Sequence, residues 1–159
     1  QEFLRYLTQD REDNAADPPF LAELAHYEWV ELALDVSEQS IDSMGQLKTP
    51  LEEIVVLSPL AWLLSYHFPV HKIGQSFQPS EPAEPTFLAV YRNREDAVRF
   101  MELNSSTARL LELLRDNVNA TGREILSQLA GELGMPTEAV LGFGSELLDD
   151  LAKQSIIGC

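Results

Sequence analysis

Four helix-boundary signals crowd into the stretch from Asn104 to Cys159, and they leave that stretch little freedom in what it can become. Asn104 or Ser105 can cap a helix that carries Ala108, Leu111, Leu114 and Val118 on one face. Thr121-Gly122-Arg123-Glu124 has the form of a capping box, in which the threonine hydroxyl accepts the N3 amide and the glutamate reaches back. The helix it opens would bury Ile125, Leu126, Leu129 and Leu133 and stop at Gly134, a residue suited to the left-handed C-cap. Pro136 then opens a third helix with Val140, Phe143, Leu147, Leu148 and Leu151 inward. Ser155-Ile156-Ile157-Gly158 reads as a short closing strand. Three short helices with a glycine-containing turn between the second and third make a helix-turn-helix pattern, and strands beside it would make it winged.

Upstream the signals are sparser. Phe3, Leu4 and Leu7 form a short apolar stripe, and the polar run from Gln9 to Asp17 reads as a linker. After Pro18-Pro19 a helix is predicted from Phe20 to about Val36, with Leu21, Leu24, Ala25, Glu28, Trp29, Leu32 and Val36 along one face. Glu23, Glu31 and Asp35 would then form a solvated acidic face. Residues 37–50 read as loop. Between Glu53 and Phe68 the β-branched and aromatic residues predict a strand, a break at Pro59 and a second strand, the latter also readable as a short helix. Pro79, Pro82 and Pro85 stiffen a loop over residues 74–85. Thr86–Arg92 and the run from Val98 to Leu103, joined by a polar turn, suggest a hairpin. A helix capped by Asn93 is the rival reading of the same residues.

Charge then narrows the function. In 159 residues, 11 Lys and Arg face 26 Asp and Glu, a formal net charge of −15. The 45% apolar content is that of a globular chain, so wholesale disorder is excluded despite the charge. From Asn104 onward only Arg109, Arg115, Arg123 and Lys153 are basic, against Glu112, Asp116, Glu124, Glu132, Glu138, Glu146, Asp149 and Asp150. A helix meant for a phosphate-lined groove should not be anionic, which argues against nucleic acid as the partner. The longest apolar stretch, Ile54 to Leu64, is interrupted by Ser58-Pro59 and is too short to span a bilayer. The chain opens Gln1-Glu2-Phe3, with neither Met nor a basic signal-peptide region, and reads as a fragment of something longer. A single cysteine, Cys159, makes no internal disulfide and fits a reducing, cytoplasmic setting.

Catalytic and metal signatures are not visible. His67 and His71 are separated by Pro69, which breaks a common helix face, and an extended chain would hold them about 13 Å apart. Each histidine, His26 included, is expected to be partly buried and hydrogen-bonded. No nucleophile elbow, zinc-protease motif, P-loop or dinucleotide fingerprint occurs. Arg92, Arg94 and Arg99 stand close together in an acidic chain. They either pair locally with Glu95, Asp96 and Glu102 or form a small cationic rim that orients an acidic peptide or partner.

Four strings carry a family resemblance: PPFLAELAHYEWVELAL at 18–34, YHFPVH at 66–71, TFLAVYRNREDAVRFMELN at 86–104, and the helical pair TARLLELL and TGREIL within 107–126. Together they resemble the C-terminal part of the HvfC-like bacterial proteins, a family formerly labelled DNA-binding and of unknown function. The resemblance implies a further helical domain upstream of this chain. It also implies a partner of multinuclear non-haem iron oxidases that modify ribosomally made precursor peptides, commonly for copper handling. On that footing the region would bind a precursor's leader and present it to the enzyme without being catalytic itself or holding a cofactor. The expected architecture is α+β: a helical N-terminal portion over residues 1–50, then a small antiparallel sheet and a winged helix-turn-helix-like unit over 51–159. A leader would add as a strand at Val98–Leu103 and rest on the helix from Pro136 to Lys153. The candidate contact residues are Arg92, Arg94, Val98, Arg99, Phe100, Val140 and Phe143, although plain core packing is the favoured reading of Val98, Phe100, Val140 and Phe143. A DNA-binding regulator that uses the winged helix-turn-helix is the alternative.

Overall fold

A computed structural model describes residues 17–159. The apolar stripe at Phe3, Leu4 and Leu7 and nearly all of the polar run after it lie outside the described residues. The described elements are α1 (Leu21–Asp35), β1 (Val56–Leu57), β2 (Ala61–Tyr66), a 3-10 turn at Val70–Lys72, β3 (Thr86–Arg92), β4 (Val98–Leu103), α2 (Ser105–Asp116), α3 (Gly122–Leu133), α4 (Thr137–Lys153) and β5 (Ile157–Gly158). β2, β3 and β4 form one antiparallel sheet in that order, and β1 pairs with β5 in a second. The fold is α+β.

Asn93 decides between the two readings of its region. Its side-chain oxygen does cap amides, but those of Glu95 and Ala97, both at 3.0 Å. Asp96 takes a positive φ of 57°, and the Asn93 amide donates to the Ala97 carbonyl. The cap therefore closes a tight turn and starts no helix. β3 and β4 then run in register from Arg92 opposite Val98 to Phe87 opposite Leu103.

Strand alternation sends successive side chains to opposite faces, and both faces of this sheet are covered. Ala61, Ala89, Tyr91 and Leu103 enter one hydrophobic core with the helices α2, α3 and α4. Tyr66, Leu88 and Val90 enter another with α1. On the first face the predicted caps are in place. Asn104 accepts the Thr107 amide at 2.8 Å. Thr121 and Glu124 complete the capping box, and Gly134 is left-handed at φ 64°.

Three inward assignments on this face are corrected. Val118 lies beyond the end of α2 and is 63% exposed, while Leu133 is 41% and Phe143 48% exposed. Phe143 is displaced by its neighbour. A Cβ at Gly144 would come within 2.5 Å of the Leu126 side chain, so the seam between α3 and α4 runs through this glycine. The adjacent Phe143 is thereby turned toward solvent.

α1 is also rotated from the expected face. Tyr27, Val30 and Leu34 are buried, whereas Leu32 and Val36 are 59% and 67% exposed. The helix is apolar around most of its circumference, so periodicity alone selects no unique seam. Nor is Glu23 merely solvated. Its carboxylate accepts the backbone amides of His67 and Phe68 at 2.9 Å, tying the start of α1 to the chain after β2.

Candidate functional site

β4 is the outermost strand of the larger sheet, and among the described residues no strand pairs with its outer side. In an antiparallel ladder, alternate residues direct their amide and carbonyl toward one neighbour or the other. The bond from the Asn93 amide to the Ala97 carbonyl sets the parity. Arg99, Met101 and Leu103 bond inward to β3, which leaves the backbone groups of Val98, Phe100 and Glu102 pointing outward. A row of unpaired donors and acceptors of this kind is a template for another strand.

Side chains flank that edge on both faces. On the α1 face, Phe100 is 47% exposed, and its ring meets those of Tyr27 at 6.4 Å and His71 at 5.6 Å. Val98 packs, partly buried, against the same core. Glu102 bonds Lys72 at 3.0 Å and His71 Nε2 at 3.1 Å, tying the 3-10 turn to the strand. The Lys72 ammonium holds the Glu102 carboxyl below the ordinary glutamate value, and His71 adds to the effect. Burial, then the hydrogen bond to Glu31, pushes the Tyr27 phenol well up, so it stays protonated. On the other face lie Arg99, exposed, and Met101, partly buried against the three-helix core.

The three arginines do not form one rim. Arg92 is buried work for the fold: its Nη1 donates to the carbonyls of Leu34 and Asp35, and its Nη2 to those of Ser37 and Gln39, all at 2.8–2.9 Å. It thereby caps the C-terminal end of α1 and the segment after it. Arg94 donates to the Met44 carbonyl at 2.6 Å. Of the three, Arg99 projects beside the edge, and among the described residues its bond is to the carbonyl of Val98 at 3.2 Å. Neither Arg92 nor Arg94 relies chiefly on the nearby carboxylates, although Asp96 lies 3.8 Å from Arg92.

On the last helix Val140 is fully buried and has no surface to offer a peptide. Phe143 is half exposed, and Gln154 beyond the helix end accepts the Tyr91 hydroxyl at 2.9 Å, fastening α4 to the sheet. The exposed surface of α4 also carries Glu138, Glu146 and Asp150.

Sequence reasoning found the edge but missed its flanks. Tyr27, His71 and Glu102 reach Phe100 or one another from three separate segments, a juxtaposition that local sequence patterns do not encode.

The histidines are spread out. His26 Nδ1 pairs with the Tyr66 hydroxyl at 2.8 Å and His67 Nδ1 with Glu23 at 2.8 Å. His67 is hydrogen-bonded as expected but largely exposed instead of partly buried, whereas the His71 side chain is 4% exposed. Among the described residues no three His, Cys, Asp or Glu side chains are grouped to hold a metal ion. Nor is any described helix long and apolar enough to cross a membrane.

The chain matches the HvfC C-terminal domain over residues 58–152, more than half its length, and it belongs to that family. Membership supports a role as a partner protein. The matched region runs from the turn before β2 almost to the end of α4, so it contains the whole of the larger sheet, α2, α3 and nearly all of α4. No curated protein matches the sequence.

Proposed function

We propose that this chain is a non-catalytic partner that binds a ribosomally made precursor peptide and presents it to a multinuclear non-haem iron oxidase in the cytoplasm. The observation that carries the reading is the outer edge of β4, unpaired among the described residues, whose outward backbone groups at Val98, Phe100 and Glu102 suit strand addition. In this reading α2, α3 and α4 form a winged helix-turn-helix with the β3–β4 hairpin as its wing. The module serves as a peptide-recognition element in place of a DNA reader. The anionic surface of α4 supports that preference, because a phosphate backbone would meet Glu138, Glu146 and Asp150 there.

The test is capture from extracts of the source organism at low salt, with the recovered components identified by mass spectrometry. The proposal expects an iron oxidase and a short ribosomal peptide to be recovered together. A Phe100→Pro variant removes one outward amide while leaving the bonds to β3 intact, and it should lose the peptide. Recovery of neither component overturns the proposal, as does a steeply salt-dependent gel shift with genomic DNA, which would favour a regulator.

A further inference from the structure

Backbone bonds at a sheet edge supply affinity without choosing a sequence, so the selectivity of β4 must come from the side chains beside it. Those side chains differ sharply between the two faces. Toward α1 the edge offers the half-exposed Phe100 ring, backed by Tyr27 and His71. Toward the helices it offers Arg99 and then Met101.

Arg99 stands apart from the other described arginines. Lys72, Arg109, Arg115, Arg123 and Lys153 each lie 2.6–3.1 Å from a carboxylate. Arg92 and Arg94 are spent on backbone carbonyls. Among the described residues Arg99 has no carboxylate at ion-pair distance, although the chain carries 26 of them. Its backbone bonds to β3, so a residue docked opposite it would form a non-hydrogen-bonded pair, the geometry in which antiparallel neighbours approach most closely. An opposite charge at that position is the favourable partner. A longer acidic run is not, because the net charge of −15 and the nearby Glu95, Asp96 and Glu102 would repel it.

We infer that the segment docked on β4 carries one carboxylate opposite Arg99, within an otherwise neutral or basic sequence, and bulky apolar side chains opposite Phe100 and Met101. Docked antiparallel, as every pair in this sheet is, the segment reads apolar, bulky, acidic in three consecutive residues. Arg99 is then the specificity-determining residue of the edge. This inference rests on the strand-addition reading above, and its test separates the two.

The probe is a phage-displayed library of random short peptides, selected separately on the wild-type chain, Arg99→Glu and Phe100→Pro. The wild type should enrich the apolar-bulky-acidic triplet. Replacing the acid by its amide in an enriched synthetic peptide should weaken binding about two- to fivefold, the range of a cross-strand charge pair. Arg99→Glu should abandon the acid and select Lys or Arg in its place. If enriched peptides bind Phe100→Pro as well as wild type, the strand-addition reading falls and this inference with it. If Phe100→Pro abolishes binding while Arg99→Glu selects the same peptides, the inference is overturned and the edge reading stands. A selection that enriches nothing counts against both. Circular dichroism of each variant confirms that the sheet has folded.

Discussion

The two faces of the central sheet are secured by different kinds of interaction. On the helical face, α2, α3 and α4 bury aliphatic residues such as Leu110, Leu126, Leu148 and Leu151, and the N-termini of α2 and α3 are capped by their own neighbours in sequence. On the other face a single helix is fastened from afar. Arg92, 58 residues downstream, donates to the Leu34 carbonyl at the C-terminal end of α1, and Glu23 near its N-terminal end accepts amides 44 and 45 residues away. The helical face is thus locally specified and the α1 face is specified only in three dimensions. That contrast predicts which perturbations spread and which stay confined.

The largest effect should come from the aliphatic side. Leu148 is fully buried, and its side chain lies against Gly122 at the start of α3. Leu148→Ala should cost about 3–5 kcal/mol, because a site walled by two helices collapses little around the cavity. Urea unfolding monitored by circular dichroism would measure it. A loss below about 1 kcal/mol would mean that α4 repacks freely and that the helical face is no rigid core.

Arg92→Lys comes next and bears directly on the contrast. A lysine offers one compact ammonium where the guanidinium spans four carbonyls, so it cannot satisfy them all. The expected loss is about 2–3 kcal/mol, from charge-assisted bonds removed and carbonyls left unpaired. Amide hydrogen exchange should accelerate across α1 and the segment to Gln39 while α2 to α4 keep their protection. Equal acceleration throughout would show that the two faces unfold as one unit and erase the distinction.

The same distinction explains what the sequence made legible. Caps at Asn104, Thr121 and Gly134 act within three or four residues, so their pattern is written in the local sequence and the helices fell where expected. The hairpin was legible as the favoured of two readings, and Asn93 resolved it by bonding within the turn. The face of α1 was not legible, since its choice of Tyr27, Val30 and Leu34 depends on Phe68, Leu88 and Val90 across the chain. Phe143 was misplaced because the seam follows Gly144, whose importance lies in a missing side chain. At the candidate site the edge strand was anticipated, but the grouping of Arg92, Arg94 and Arg99 by sequence proximity failed. Adjacent strand and turn residues diverge in space, and only Arg99 stays beside the edge.

A smaller effect tests the local side alone. Thr121→Ala removes the hydroxyl that accepts the Glu124 amide and should cost about 1 kcal/mol. Thr121→Ser should restore most of it. If serine fails to rescue, the hydroxyl is not what secures this helix, and the β-bridge between Ile54 and Thr121 becomes the better explanation.

The smallest expected effect concerns the tie between the 3-10 turn and the edge strand. Glu102 has its carboxyl held below the ordinary glutamate value, by Lys72 first and His71 second. A depressed carboxylate pKa stabilises the fold above its unfolded value and ceases to do so as the pH falls through the folded value. The contribution of Glu102 should therefore be complete near neutrality, begin to fade only below the ordinary value of 4.5, and vanish under more acidic conditions. Because the glutamate and Lys72 are about half exposed, solvent screening keeps the contribution under about 1 kcal/mol. The measurement is the stability difference between the wild type and Glu102→Gln, followed from neutral to acidic pH at low and at high salt. It should shrink with acid and with salt. A difference that persists unchanged at low pH would assign the tie to the packing of His71 on Phe100 instead of to charge. The α1 face would then be held at this corner, as at Tyr27, by contacts between rings.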